Sequence, residues 1–513
     1  MTERYNLLDE RLFTVRTTGD DVRSLSLPAV LDALHHDTVA SFLALQNHQT
    51  HAWHSFLVQL AALAIHRSGL GHAPDEAPGW EESILNLTDG MHEPWTLVVS
   101  DLSHPAFMQP PVPEGTLTGF KARRYVDEID VLNTARNHDV KARRICRSAP
   151  ELWIHTLVSC QTMQGYAGRG NYGIARMNSG YGSRPAVAYA PDIRPGSRFV
   201  RDLGILLQHR EELENRPDFC PDGGQALLWL LPWDGEDQID PPSLDPWFIE
   251  ICRRIRMTQV DDALIARIAP SHVARIAGED MKGDTGDAWT PVSRDKGSAL
   301  TITPEGFTYR RLQELLFTGR FRPGAAGMVQ ADERGAMVFV TQAMARGQGK
   351  TGGYHARVTP VPGRITSLLA REEGRDALGR RSQDWVEMTD RVAMRALRPA
   401  LCALMQGGQD QLDFRDERID PRMSAFEMSV DRVFFDDLWQ HADATPEAAR
   451  EAWLGRLREL AIAQLEEAIR SAPVPVARRY RAIASAERWL YGGLKRIAAD
   501  AGDTASSVKE ETS

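Results

Sequence analysis

The stretch DATPEAAREAWLGRLRELAIAQLEEAIRSA, residues 443–472, carries the signals of one long amphipathic helix. Thr445 offers a side-chain oxygen at the N-cap, Pro446 takes the first helical position, and Glu447 puts negative charge in the first turn. Trp453, Leu457, Leu460, Leu465 and Ile469 then recur on one face and need a partner surface. Residues 477–500 repeat the arrangement with Tyr480, Ile483, Leu490, Leu494 and Ile497. Residues 382–405 and 424–442 give two more helices, the first predicted to kink at Pro399. Four such helices with short connections predict a four-helix bundle over residues 371–503. Residues 504–513 read as a disordered tail.

Upstream the pattern changes. RLFTV (11–15), WTLVVSDL (95–102), LTITPEGFTY (300–309) and AMVFVTQ (336–342) are short apolar or β-branched runs bounded by turn formers, and read as strands. Between them lie helical stretches such as 50–67, where Phe56, Leu57, Leu60, Leu63 and Ile65 fall near one face. No β-α-β alternation or internal repeat is present. The fold class predicted is α+β: an irregular mixed α/β body over residues 1–370, followed by the bundle.

With 513 residues, 42% hydrophobic and 25% charged, the composition is that of a globular protein. There is no apolar run of membrane-spanning length, and the N-terminus lacks the charge and hydrophobicity of a signal peptide. The five cysteines are scattered and never spaced C-x-x-C, which argues for a reducing cytoplasm and against a cysteine zinc site. Net charge is −10, yet residues 121–147 hold eight Lys or Arg against four acids, and 168–201 hold six Arg against one Asp. Residues 346–364 hold four basic residues and no acid. Basic, glycine-bearing segments in an otherwise acidic chain suit a subunit with nucleic-acid and protein neighbours; ordinary solvated loops are the simpler alternative.

Three motifs bear on chemistry. In RGQGKTGGYHAR (346–357), Gly349, Lys350 and Thr351 match the end of a P-loop, but Met344 stands where its first glycine belongs. Gly352, Gly353, Pro360 and Pro362 cannot open the phosphate-binding helix, so ATP binding is not expected. A glycine-rich basic loop can still approach a nucleic-acid backbone closely. The early histidines (His35 and His36 before Asp37; then His48, His51 and His54) could supply metal ligands, but no partner motif exists, and surface or structural histidines are the better reading. In GYAGRGNYGIARMNSGYGSRP (165–185), Arg169, Arg176 and Arg184 interleave with Tyr166, Tyr172 and Tyr181. Gly168, Gly170 and Gly173 match G-x-G-x-x-G, but after a helix-like segment rather than a strand. Arginine for phosphates, tyrosine for stacking and glycine for close approach make this a nucleic-acid contact loop.

In this order the pieces resemble the CasA family, the large subunit of the type I-E CRISPR surveillance complex Cascade, over nearly the whole chain. NLLDERLFTV (6–15) resembles the family's N-terminal strand, with Arg11 and Phe13 where Trp and Pro are common. HPAFMQP (104–110) resembles its HPFMQ element with one residue inserted. LNTARNHDVKARR (132–144) takes the place of the loop that grips the guide end. The glycine-rich stretch, the 346–357 loop and the closing bundle come next, in family order.

The resemblance implies a non-catalytic DNA reader without cofactor or metal. It would dock on a guide-RNA (crRNA) complex with other Cascade subunits, read the protospacer-adjacent motif (PAM) in double-stranded DNA, help start the R-loop and recruit a helicase–nuclease. Gly170, Asn171, Tyr172 and Gly173 would form the glycine loop, with Arg176 and Asn178 close by. Arg136, Asn137, His138 and Lys141 would contact the guide end. Gln348, with Gly347, Gly349 and Lys350, would form a strand-separating wedge. Lys282 would be the lysine finger in the minor groove, with Lys296 as fallback. The alternative is a metal-dependent phosphohydrolase or nuclease built on His35, His36 and Asp37.

Overall fold

The computed structural model describes residues 4–132, 148–177, 180–347 and 350–510, with backbone alone at 350 and 501–510. The chain forms two compact units: Met1–Phe307 with Arg320–Gln330 and Gly335–Val361, and Thr308–Gly319 with Ala331–Arg334 and Pro362–Ser513. The architecture is α+β, with small sheets in the first unit and a helical C-terminal region in the second.

The first unit is organised around helix α1 (Thr50–Arg67). Its periodicity predicts one buried face, but every residue from His51 to Ile65 is buried. Helices α2 (Pro150–Met163) and α3 (Pro195–Gln208), the helix Ala77–Asn86 and the strand Leu244–Ile249 all pack against it. Polar side chains on such a helix need internal partners, because an unpaired buried group costs about 1–3 kcal/mol. Gln59 donates to the carbonyls of Trp247 and Phe248, both at 3.2 Å. Ser55 and Gln59 accept from Arg184 at 3.3 Å. Two further buried glutamines tie loops to this core. Gln109 of the HPAFMQP element donates to Leu97 O and Phe107 O and accepts from Met257 N. Gln161 bridges Met108 O to the backbone of Cys252 and Arg253.

The sheets have two or three strands each, and every pairing between named strands is antiparallel except Gln225–Leu227 with Leu244–Ile249. One sheet carries the 346–357 stretch: β1 (Ala186–Ala190), β2 (Met337–Gly347) and β3 (Lys350–Val361), with β2 in the middle. The segment 300–309, read as a strand, is not one. Pro304 and Gly306 interrupt it, and Thr308 instead caps the helix Tyr309–Leu316 by accepting from Arg311 N.

His155 on α2 is buried against Trp53, ring centroids 4.8 Å apart, and among the described residues neither ring nitrogen has a partner. Burial lowers its pKa from 6.5 to about 3. The unfolded chain therefore takes up this proton first, so the contribution to stability is full above pH 6.5 and is lost as pH falls toward 3. In that window the loss is about 1.4 kcal/mol per pH unit for this group. Urea unfolding at pH 7 and pH 5 should show the decline, and His155→Phe should flatten it.

In the second unit, α4 (Glu372–Val392) continues through a π-helical turn, Ala393–Leu397, into α5 (Arg398–Met405). The turn directly precedes Pro399, whose ring cannot follow a regular helical turn, so the expected kink is taken up as a widened one. Helices α6 (Asp420–Gln440), α7 (Pro446–Ser471) and α8 (Val476–Glu510) complete the bundle. Thr445 caps α7 by accepting from Ala448 N. Trp453 stacks on Trp385 at 4.5 Å and donates its indole N–H to the Trp385 carbonyl. The buried stripe of α7 is Ala449, Trp453, Leu457, Ala461, Leu465 and Ala468, so alanines fill positions that the apolar pattern assigned to Leu460 and Ile469. On α8 the stripe expected through Tyr480 is corrected: Tyr480 is 88% exposed, and Ala482, Ala486 and Leu490 face the core. The small face permits close approach, since a Cβ on Gly493 would lie 2.7 Å from the Ala396 backbone. Helix α8 runs to Glu510, through the stretch expected as a tail.

Candidate nucleic-acid interface

The P-loop-like lettering lies on a long β-hairpin. Strands β2 and β3 pair from Met337↔Val361 to Gly347↔Lys350, with a bulge at Ala345/Arg346. The residues after Lys350 are therefore strand, not a phosphate-binding helix. Only Val338–Gln342 of β2 also pair with β1, so beyond Gln342 the hairpin continues as a two-stranded arm. Gln348 and Gly349 lie outside the described residues. Gly347 and Lys350 flank them as register partners.

The glycine segment sits against this arm. Met344 N donates to Ser183 Oγ at 2.9 Å, and Ser183 N donates back to Met344 O at 3.3 Å. The segment doubles back on itself: Gly165 N bonds Gly182 O and Tyr166 N bonds Gly180 O. A tight turn closes its tip, Ala167 N to Asn171 O and Asn171 N to Gly168 O, and leaves Arg169 exposed with no partner among the described residues. Arg253 donates to the Tyr172 carbonyl, and Tyr166 packs on Tyr172 and Tyr181 at 6.0 and 5.7 Å between centroids. Gly173 is a contact position: a Cβ there would meet Gly165 C at 2.6 Å and Tyr166 N at 2.7 Å. Even Gly173→Ala should therefore open the doubled segment, and limited proteolysis between residues 165 and 183 should accelerate several-fold.

The lysine turn adjoins the same segment. Lys282 is exposed, holds φ +50°, and has no side-chain partner among the described residues. The next residue, Gly283 (φ +83°), lies against the Arg176–Met177 backbone, where a Cβ would come within 3.0 Å. Lys282 O accepts from Ala299 N at 2.9 Å, which joins this turn to the hairpin Val292–Ser293/Ser298–Ala299. That hairpin carries the fallback residue Lys296, also exposed. The two turns are joined through the Ala299–Lys282 bond, and the Lys282 turn borders the glycine segment at Arg176–Met177.

The electrostatic reading of 168–201 needs correction. Arg176 is no surface contact: it is 2% exposed, stacks on Phe248, and donates to Phe248 O and Thr285 Oγ1. Arg184 is buried in a two-pronged pair with Asp287 at 2.5 and 2.8 Å. Arg194 pairs with Asp192 and Asp37, Arg198 is buried, and Arg201 donates to the carbonyls of Tyr189, Ala326 and Met328. Of the six arginines, Arg169 alone is left free for a phosphate. The partners of the two buried clamps, Thr285 for Arg176 and Asp287 for Arg184, lie 109 and 103 residues away in sequence, so local charge counting could not find them.

Two of the early histidines are paired inside the fold, while His51 is buried with neither ring nitrogen bonded among the described residues and His36 is exposed. His48 meets buried Asp130 at 2.9 Å, and His54 meets Asp202 at 2.8 Å. His36 lies 3.0 Å from the Asp32 carbonyl, and His35 packs near Trp80. Asp37 is spent on Arg194. Among the described residues no three His, Cys, Asp or Glu side chains group as metal ligands. Arg136, Asn137, His138, Lys141 and Asn178 lie outside the described residues, and Lys350 is described by its backbone. Just upstream of Arg136, Asp130 accepts from Leu132 N as well as meeting His48. Among the described residues no helix is long and apolar enough to cross a membrane.

An irregular α+β body with a long β-hairpin, followed by a helical C-terminal region, is a fold already known among solved structures. It is the fold of CasA, also called Cse1. The chain is similar to CasA of Thermus thermophilus at 13% identity and TM-score 0.67, over 96% of this chain and 100% of that one. It is similar to Cse1 of Acidimicrobium ferrooxidans at 15% identity and TM-score 0.64, over 98% and 99%. A chain of a CRISPR RNA-guided surveillance complex matches at 15% identity and TM-score 0.53, over 96% and 100%. No family model matches the sequence, and no curated protein is similar to it.

Proposed function

We propose that this chain is a CasA-type large subunit of a Cascade complex, which reads a short motif in duplex DNA and starts strand separation. The observation that carries the reading is convergence. The glycine segment, the Lys282 turn and the distal hairpin come from residues 165–183, 279–299 and 343–356, yet they meet in direct contact. A backbone-rich glycine tip with Arg169 and a lysine suits the minor groove, whose degenerate pattern allows permissive reading. Guide pairing supplies the sequence specificity that such an edge lacks. The guide RNA, other Cascade subunits, the DNA target and a recruited helicase–nuclease are its partners in this reading, and the chain itself performs no chemistry.

Gln348 tests the reading. Unstacking paired bases costs a few kcal/mol per step. Gln348→Ala should slow R-loop formation about tenfold or more on fully paired DNA and have little effect on a target pre-melted beside the motif. Strand-opening rates on paired and bubbled targets measure this; an equal defect on both would leave the hairpin as a grip rather than a wedge.

A further inference from the structure

We infer that Arg176 is a positioning residue: it fixes the spacing between the glycine segment and the Lys282 turn so that both meet one DNA in register. Its guanidinium is fully enclosed and reaches two other segments at once, a core strand with its end and the Lys282 turn. Nη2 donates to Phe248 O at 2.6 Å, Nη1 donates to Thr285 Oγ1 at 3.1 Å, and the plane lies 4.0 Å from the Phe248 ring centroid. Nε is 3.6 Å from Glu250 Oε1, while Glu250 Oε2 accepts the Ala175 N–H at 2.7 Å. The middle of the glycine segment, just after Gly173, is thus clamped to the end of a core strand. Through Thr285, whose own N–H bonds Gly283 O at 3.0 Å, the same clamp holds the turn that presents Lys282.

The choice of residue supports a geometric role. A buried ion pair adds little net stability, and apolar side chains of similar volume often fill such a site equally well. A rigid donor fork, however, fixes distances and directions that an apolar contact leaves loose. The touching backbones of Gly283 and Arg176–Met177 show how closely the two loops are set. A small change there would shift Lys282 relative to Arg169.

The inference rests on the DNA-reading function proposed above, and the test separates the two. The full chain and its variants are added to the guide-RNA particle purified without it. Affinities are then measured for a duplex bearing the motif that the wild type selects from a randomised library, and for a scrambled duplex of equal length. Thr285→Val removes the hydroxyl that Arg176 holds and keeps the shape. It should reduce the motif-to-scrambled affinity ratio about fivefold with scrambled-duplex affinity unchanged, while the unpaired Arg176 donor lowers the melting temperature by a few degrees. Thr285→Ser should restore the ratio. An unchanged ratio in Thr285→Val, a parallel fall in both affinities, or failure of Thr285→Ser to restore it would overturn the positioning role. Lys282→Ala is the control on the parent reading. If it leaves the affinity for the motif-bearing duplex intact, alone and together with Lys296→Ala, the DNA-reading assignment falls and the positioning role falls with it.

Discussion

Asp287→Ala is expected to lower the unfolding free energy of the first unit by about 3–5 kcal/mol, the cost of stripping a buried charge of its partner. The carboxylate receives both prongs of Arg184, the Thr290 hydroxyl at 2.8 Å and the Trp289 N–H at 3.2 Å. Arg184 holds its carboxyl far below the usual range. Without it, Arg184 is left buried near Arg176, with only Ser55 and Gln59 to satisfy it. Asp287→Asn, which keeps the shape and part of the hydrogen bonding, should cost less. Removing the exposed pair Arg16–Asp20 should cost about 0–1 kcal/mol. Urea unfolding followed by tryptophan fluorescence ranks the three. If Asp287→Ala were as mild as the surface variant, the network under the interface would not organise it.

The second large effect concerns binding. Replacing Lys282 and Lys296 together by alanine should weaken affinity for motif-bearing duplex about tenfold to a hundredfold. The log–log salt slope should flatten by about one unit for each phosphate that is no longer neutralised. Neither side chain has a partner among the described residues, so nothing in the fold depends on it, and melting temperature should not move. Binding titrations at several salt concentrations measure both quantities. Equal weakening for a duplex and for guide RNA alone would place these lysines on the wrong nucleic acid.

Local signals carried the bundle well. Thr445, Pro446 and the Trp453–Leu457–Leu465 stripe specify α7 without help from the rest of the chain, and Pro399 marks the irregular turn before α5. They carried α1 poorly, because a helix covered on all sides shows no clean apolar face. His54 and Gln59 look solvent-facing until Asp202 and the Trp247–Phe248 backbone are placed beside them. The same limit governs the candidate interface. The glycine segment and the two lysines were legible as types, but arginine counting mistook Arg176 and Arg184 for phosphate contacts. Burial converts an arginine from a binding group into a clamp, and its acidic partners sit on other elements. The contact between Ser183 and Met344 had no local signal at all, since strand register over such distances is set by the assembled core.

Whether the glycine tip, the lysine turn and the hairpin end form one DNA-reading edge is tested most directly by photo-crosslinking. A benzophenone side chain is placed in turn at positions 169, 282 and 348 of the full chain in its guide-RNA particle. All three should crosslink to the same few base pairs at the motif, and none should crosslink efficiently to a scrambled duplex. Crosslinks scattered to distant DNA, or to guide RNA in place of DNA, would contradict a single shared edge.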